Sequence, residues 1–277
     1  MPKQKMKIPD FKKFKEEGKK YTFVTAYDYT TASIVNESET EIILVGDSAA
    51  MVMLGRDSTV GMTMDEMINF TKPVVRGAPD TMVIGDMPFG SYNVSVEQAI
   101  ANTSRMLMET GCDCIKMEGG ASLAPTIKRV VEAGVPVVGH IGLTPQTASS
   151  VGGFKVQGGT PEGAKKLIED AKALEAAGVV AIVIECVPSV VAKAVTEAVS
   201  VPVLGIGAGP YVDCQVLVTQ DLLGMYSGFK PKFVKHFAEI RQAMVGGLNL
   251  FHEETLSGAF PGPENSFNKA VEIPKLY

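Results

Sequence analysis

Acidic residues stand at the ends of three successive apolar runs in this chain. Asp47 and Glu118 each close such a run, and Asp86 lies near the end of another. Several buried carboxylates that converge need a cation or shared protons, because an unpaired buried charge is costly. Oxygen ligands without a histidine or cysteine cluster favour Mg²⁺ over zinc. We therefore predict a metal site formed by these three residues, although each taken singly could be a helix cap or an ion-pair partner.

Two further residues near the ends of apolar runs, Lys116 and Glu185, carry groups that could bind or deprotonate a substrate. Lys116 lies two residues before Glu118, so both side chains leave the same face of a strand. Its ammonium group could bind a substrate carboxylate or keto oxygen, or could only neutralise Glu118. Glu185 follows the apolar residues 182–184, surroundings that suit a general base. His140 could equally be a core residue that holds the adjacent glycine-rich turn. We predict that it supports the site residues and does not itself contact the substrate.

The elements that must position these groups are eight apolar runs separated by segments of helical period. The runs span residues 21–28, 41–47, 82–88, 114–118, 136–142, 181–187, 201–207 and 215–221. Continuously apolar runs are typical of parallel strands covered on both faces. Eight such units in 277 residues favour a (β/α)8 TIM barrel, an α/β fold, over an open doubly wound sheet. We predict a single barrel domain over residues 1–277, with an N-terminal extension of about residues 1–20 and an irregular C-terminal tail of about residues 255–277.

Helix boundaries follow from capping residues and apolar spacing. Thr63 with Glu66 has capping-box spacing, and Thr160 followed by Pro161 predicts the start of a helix that ends near Gly178. The last long helix is predicted from an apolar stripe, which we expect to be buried. The stripe consists of Val234, Phe237, Ile240, Met244, Leu248 and Phe251.

Composition restricts the partners of the chain. A net charge of −5 argues against nucleic-acid binding, which depends on basic residues, and favours small-molecule partners. No apolar region follows the N-terminal lysines and no stretch approaches the length of a membrane span, so we expect no membrane partner and a cytoplasmic location. The four cysteines lack zinc spacing and are interpreted as buried thiols in a reducing compartment.

Ordered strings through nearly the whole chain resemble one family. They span residues 25–28, 45–48, 57–59, 76–79, 116–120, 139–146, 155–158, 185–188 and 205–209. These strings are similar to those of the ketopantoate hydroxymethyltransferase family, which carries out the committed step of pantothenate and coenzyme A synthesis. We expect a barrel of the phosphoenolpyruvate/pyruvate type. The resemblance also implies a large homo-oligomer, such as a decamer built from pentameric rings.

The resemblance implies a role for individual residues. Asp47 and Asp86 correspond to direct Mg²⁺ ligands, and Glu118 to a third acidic group at the metal, bound directly or through water. The α-keto acid would contact Asp47 and Asp86 beside the metal. Ser48 and Lys116 correspond to further contacts to that substrate, and Glu185 to the proton acceptor.

The family reaction agrees with this arrangement. It uses Mg²⁺ to acidify C3–H of α-ketoisovalerate, and the resulting enolate attacks the one-carbon unit of 5,10-methylenetetrahydrofolate, giving ketopantoate. The chain departs from the family pattern at Ala49-Ala50 and at Arg56, which could change the loop after the second strand. One alternative is another Mg²⁺-dependent keto acid lyase or mutase of the phosphoenolpyruvate/pyruvate type. A second alternative is a non-catalytic barrel that serves as a binding module.

Overall fold

The computed structural model describes residues 3–228 and 230–272. Within them, eight parallel strands pair in chain order, and the last pairs with the first to close a barrel. The strands are β1 (Tyr21–Thr25), β2 (Ile42–Val45), β3 (Met82–Asp86), β4 (Cys114–Glu118), β5 (Val137–Gly142), β6 (Ala181–Glu185), β7 (Val203–Ile206) and β8 (Cys214–Leu217). The closed parallel barrel confirms the predicted (β/α)8 architecture.

Each predicted run contains or overlaps one strand, but several runs extend beyond the strand that they contain. The first run continues to residue 28 while β1 ends at Thr25, and the second continues to Asp47 while β2 ends at Val45. Side chains just beyond a strand end are buried at the mouth of the barrel, as Asp47 is. Burial therefore persists after the strand hydrogen bonds stop, and an apolar run overestimates strand length there.

The helices lie between the strands, as a barrel requires. They are α1 (Ile8–Glu16), α2 (Tyr29–Glu37), α3 (Ala49–Val52), α4 (Met64–Gly77), α5 (Val96–Thr110), α6 (Ala124–Glu132), α7 (Pro161–Ala176), α8 (Ser189–Ala198), α9 (Thr219–Leu222) and α10 (Ile240–Ser257), with 3-10 helices at Pro145–Val151 and Pro263–Asn265. The predicted caps are confirmed. The Thr63 side chain accepts from the Glu66 N–H, and the Thr160 side chain accepts from the Gly163 N–H.

The N-terminal segment closes the end of the barrel opposite the predicted site. Met6 and Phe11 are buried in the same apolar cluster as Tyr21, at the start of β1. Lysines of the segment are paired with acidic partners, since Lys5 lies 2.8 Å from Asp113 and Lys15 lies 3.1 Å from Asp213. These lysines fasten the segment to the residues just before β4 and β8.

The chain divides into two compact units. Of the described residues, the first unit takes those up to Thr219 together with Lys230–Val234, and it contains the barrel. The second unit takes the remainder, including α10. The single domain with its N-terminal extension and C-terminal tail stays a prediction. Residues 1–2 of that extension and 273–277 of that tail lie outside the described residues.

The predicted burial of the last long helix is wrong. Helix α10 begins at Ile240, so Val234 and Phe237 precede it, and no residue of α10 is buried within the described chain. Met244 and Leu248 are more than half exposed. Apolar spacing indicates that a helix has an apolar face, but it does not identify what covers that face.

Among the helices that the structure describes, none combines the length and the apolar character of a membrane span.

Candidate active site

The predicted site residues meet at the carboxyl ends of neighbouring strands. Asp86 ends β3, Glu118 ends β4 and Glu185 ends β6. In the strand register Asp86 pairs with Lys116, and Glu118 pairs with His140. Because β3, β4 and β5 are adjacent in a parallel sheet, side chains at these positions project into one region at the barrel mouth.

Three carboxylates form a buried cluster. Atoms of Asp47, Asp86 and Glu118 that could bind a metal all lie within 4.8 Å of one another. The Asp47 N–H donates to Asp86 Oδ2 at 3.1 Å, which holds the ends of β2 and β3 together. Asp47 Oδ2 is buried and has no hydrogen-bond partner within the described chain. An all-oxygen donor set with an unpartnered buried oxygen fits a hard divalent cation such as Mg²⁺.

Lys116 supplies positive charge inside the cluster. Its Nζ lies 3.0 Å from Asp86 Oδ1 and 2.9 Å from Glu118 Oε1, and the side chain is buried. Burial lowers the pKa of Lys116, but the charges of Asp86, Glu118 and Asp47 together raise it well above its ordinary value. Lys116 therefore neutralises Glu118, and its predicted contact with a keto acid stays a prediction.

The carboxylates of the cluster differ in their protonation. Burial raises the pKa of Asp47 well above its ordinary value, and the charges of Asp86 and Glu118 raise it further. Burial also tends to raise the pKa of Glu118, but Lys116 and His140 outweigh it and lower that pKa to about 2. Burial also raises the pKa of Asp86, but Lys116 opposes that rise. Asp47, which has an unpartnered buried oxygen, is therefore the member of the cluster whose charge is least compensated.

His140 connects the cluster to Glu185. Its Nδ1 lies 3.2 Å from Glu118 Oε1 and 3.1 Å from Lys116 Nζ, while its Nε2 lies 3.3 Å from Glu185 Oε2. Burial and Lys116 lower the pKa of His140, but Glu118 and Glu185 raise it to about 9. The Glu185 side chain is 15% exposed, against 1% for Glu118, so Glu185 is the carboxylate more accessible from the mouth.

The loop after β2 carries Ser48 and the departures from the family pattern. Ser48 Oγ lies 2.8 Å from the Tyr27 hydroxyl. Ala49 and Ala50 are fully buried in α3, where a helical backbone accepts alanine without strain. Arg56 donates to the Gly61 carbonyl and forms an ion pair with Glu66 at the start of α4.

Two residues at the site were not singled out from the sequence for any chemical role. Tyr92 lies in the loop after β3 and Gln146 in the 3-10 helix after β5. Polar side chains in such connections are usually solvated, yet both residues are buried. The Tyr92 hydroxyl accepts from the Glu118 N–H at 3.2 Å, and the Gln146 N–H donates to Glu118 Oε2 at 3.1 Å. Neither residue follows an apolar run directly, so the spacing of residues carried no signal for them.

The fold resembles that of solved enzymes. A phosphonopyruvate hydrolase, crystallised with oxalate and Mg²⁺, superposes with a TM-score of 0.62 at 12% identity, over 94% of this chain and 93% of that one. A 2,3-dimethylmalate lyase of the phosphoenolpyruvate mutase/isocitrate lyase superfamily gives a TM-score of 0.58 at 13% identity, over 94% and 92% of the two chains. These likenesses show the fold alone, and they agree with the (β/α)8 barrel that the strand order shows.

Sequence comparison identifies the family. A 3-methyl-2-oxobutanoate hydroxymethyltransferase of Heliobacterium modesticaldum is 57% identical over 274 residues, 99% of both chains. One from Syntrophomonas wolfei is 50% identical over 271 residues, 98% of this chain and 97% of the relative. The family model for ketopantoate hydroxymethyltransferase matches residues 5–263. The predicted family is thus confirmed, and this chain belongs to the ketopantoate hydroxymethyltransferases.

Proposed function

We propose that this chain transfers a hydroxymethyl group from 5,10-methylenetetrahydrofolate to α-ketoisovalerate, 3-methyl-2-oxobutanoate, and thereby forms ketopantoate for pantothenate synthesis. Family membership supports the reaction class. The observation that carries the proposal is the buried cluster of Asp47, Asp86 and Glu118 with Glu185 connected to it through His140. This arrangement combines a cation site with a nearby carboxylate that can accept a proton, as deprotonation next to a carbonyl requires.

The acidic cluster would hold Mg²⁺ through Asp47 and Asp86, with Glu118 as the third acidic group. Bound there, Mg²⁺ would supply the Lewis acid that acidifies C3–H of an α-keto acid. Ser48 and Lys116 bind the keto acid in the same region, with Asp47 and Asp86 beside it. The alkyl stem of Lys116 is packed in the barrel, so its ammonium group is held in place before substrate arrives.

Glu185 accepts the C3 proton in this proposal. Its carboxylate lies at the end of β6, more exposed than the metal-binding carboxylates, and so can approach a substrate bound at the mouth. His140 contacts Glu185 Oε2 and leaves the second oxygen for the substrate. The deprotonated carbon then forms the new carbon–carbon bond to the one-carbon unit, and tetrahydrofolate is released.

The test uses the purified protein with α-ketoisovalerate and methylenetetrahydrofolate. Ketopantoate and tetrahydrofolate should appear in equal amounts when Mg²⁺ is present. A chelator should stop turnover, and excess Mg²⁺ should restore it. Turnover that a chelator leaves intact would remove the metal from the proposal, and absence of both products with Mg²⁺ would overturn the reaction itself.

The rival function is that of another Mg²⁺-dependent keto acid lyase or mutase with the same kind of barrel. Its support is a shared fold at 12–13% identity, which does not determine chemistry. Incubation with phosphonopyruvate and with 2,3-dimethylmalate, in the presence of Mg²⁺, discriminates the two. Turnover of either compound without turnover of α-ketoisovalerate would favour the rival.

We also propose that the enzyme works in the cytoplasm. We further propose that it is a homo-oligomer, a decamer as the family resemblance implies. The support for association is α10, whose Met244, Leu248 and Phe251 are each more than half exposed. Apolar side chains repeated along one helix are typical of an association surface. Sedimentation velocity measures the assembly, and Leu248→Glu should shift it to smaller species if α10 contributes.

A further inference from the structure

Gln146 is buried at the point where three strand ends approach one another. It lies in the 3-10 helix Pro145–Val151 after β5, and it is 2% exposed. Its side-chain amide donates to the Met87 carbonyl, just after β3, at 2.9 Å. Its side-chain oxygen accepts from the Tyr92 hydroxyl at 2.6 Å. Because a carbonyl can only accept, the Met87 contact fixes which end of the Gln146 amide carries the nitrogen.

The Gln146 backbone also contacts the acidic cluster. Its N–H donates to Glu118 Oε2 at 3.1 Å, while Lys116 holds the other oxygen, Oε1, at 2.9 Å. Both oxygens of Glu118 are thereby oriented. The side-chain contacts with Met87 and Tyr92 fix the position of residue 146, and with it the direction of this N–H.

Tyr92 extends this connection to the backbone of β4. Its hydroxyl accepts from the Glu118 N–H at 3.2 Å and donates to Gln146 at 2.6 Å. The Glu118 main chain and side chain are therefore held by the same pair of residues. Replacing Gln146 with a smaller apolar residue would remove one hydrogen-bond partner from the Tyr92 hydroxyl and one from the Met87 carbonyl.

We infer that Gln146 is a positioning residue whose anchored side chain keeps its backbone N–H on Glu118, and thereby holds that carboxylate in the arrangement a divalent cation requires. The inference rests on the proposed metal-dependent function. Residues that orient metal ligands through hydrogen bonds contribute about 10–100-fold to metal affinity. The expected consequence of losing the Gln146 side chain is weaker metal binding, because the backbone N–H that orients Glu118 Oε2 is then no longer anchored to Met87 and Tyr92.

Binding of Mn²⁺ alone, followed by electron paramagnetic resonance, tests this without measuring turnover. Gln146→Ala should weaken Mn²⁺ binding by about 10–100-fold and broaden the spectrum of the bound ion. Tyr92→Phe keeps the buried ring and removes only the hydroxyl, so it should give a smaller loss in the same direction. The exposed Gln4→Ala serves as the matched control and should bind as the parent does.

The outcomes separate this inference from the proposed function. Parental affinity and spectrum in folded Gln146→Ala, verified by thermal unfolding, would overturn the positioning role alone. Should Gln146→Ala fail to fold, parental binding by Tyr92→Phe would overturn it instead. A parent protein that binds no Mn²⁺ would overturn the metal-dependent function from which the inference starts.

Discussion

His140 Nε2 lies 3.3 Å from Glu185 Oε2, so the imidazole and the carboxylate at the ends of two adjacent strands form a direct contact. The same imidazole reaches Glu118 through Nδ1 at 3.2 Å. One ring therefore connects the proposed base to a carboxylate of the metal cluster. This contact orients the Glu185 carboxylate relative to the acidic cluster.

Replacement of the proposed base tests its role directly. Glu185→Gln keeps the shape of the side chain but cannot accept the C3 proton, so turnover should fall by roughly 10²–10⁴-fold while keto acid binding remains. Exchange at C3 of α-ketoisovalerate, followed by NMR in D₂O with Mg²⁺ and no folate, measures the proton transfer by itself. The exposed Glu162→Gln is the control. Parental exchange in Glu185→Gln would place the base elsewhere, with His140 as the next candidate.

Two aspartates of the cluster should have opposite effects on the metal-free protein. Asp86 is paired with Lys116, which keeps Glu118 as a second partner, so Asp86→Asn should lower the free energy of unfolding by about 1–3 kcal/mol. Asp47 carries an unpartnered buried oxygen, so Asp47→Asn should raise it by about 1–3 kcal/mol. Urea unfolding with a chelator measures both. Mg²⁺ should stabilise the parent but neither variant, and equal destabilisation by both changes would contradict the charge distribution described above.

Spacing in the sequence was sufficient to predict which groups meet at the mouth of the barrel. The two-residue separation of Lys116 and Glu118 placed them on one face, and their atoms lie 2.9 Å apart. In a parallel barrel the carboxyl ends of successive strands lie side by side, so carboxylates at those ends lie close together. Their roles in substrate binding and proton transfer remain predictions.

Other features depended on three-dimensional contacts that no local pattern contains. Gln146 is a polar residue in a loop, and only the folded chain shows that its surroundings are Met87, Tyr92 and Glu118. The exposure of α10 could not be predicted either, because periodicity is the same for a helix that packs within its own chain and for one that does not.

Arg56 should control the protonation of Glu66 and the order of the loop after β2. Hydrogen bonding by Arg56, followed by that of the Thr63 N–H, lowers the pKa of Glu66 to about 2. In Arg56→Ala this pKa should rise but remain below its ordinary value, because Thr63 still donates. Because the folded-state pKa is depressed, the pair contributes stability above about pH 4.5 and loses it as the pH falls toward 2.

NMR titration of the Glu66 carboxyl carbon measures this shift, and limited proteolysis reports on the loop. The two side chains are 36% and 31% exposed, so solvent screens the ion pair and the effect on unfolding at neutral pH should be small. Arg129→Ala removes an exposed pair on α6 and should leave the Glu66 titration unchanged. A Glu66 pKa that stays at about 2 in Arg56→Ala would show that the capping interaction alone is responsible.

Gly142 should be essential for the position of Glu185. It lies opposite Glu185 in the strand register with a φ of +90°, and a Cβ at this position would overlap the Glu185 carbonyl. That carbonyl accepts from the Leu143 N–H at 2.9 Å, so β6 would have to move to admit a methyl group. Gly142→Ala should therefore lower the free energy of unfolding by about 2–4 kcal/mol, the combined cost of strain and overpacking.

Gly134 provides a matched control for that substitution. It has a similar φ of +94°, but a Cβ there would meet no atom within 4 Å, so Gly134→Ala carries the backbone strain without the overlap. The difference between the two variants in the free energy of unfolding, measured with urea, isolates the cost of placing a methyl group against the Glu185 carbonyl. C3 exchange of α-ketoisovalerate should remain parental in Gly134→Ala and fall sharply in Gly142→Ala, because only the second change displaces the carboxylate that we propose as the proton acceptor. Equal stability and equal exchange rates in the two variants would show that the end of β6 adjusts to a side chain at residue 142 without moving Glu185.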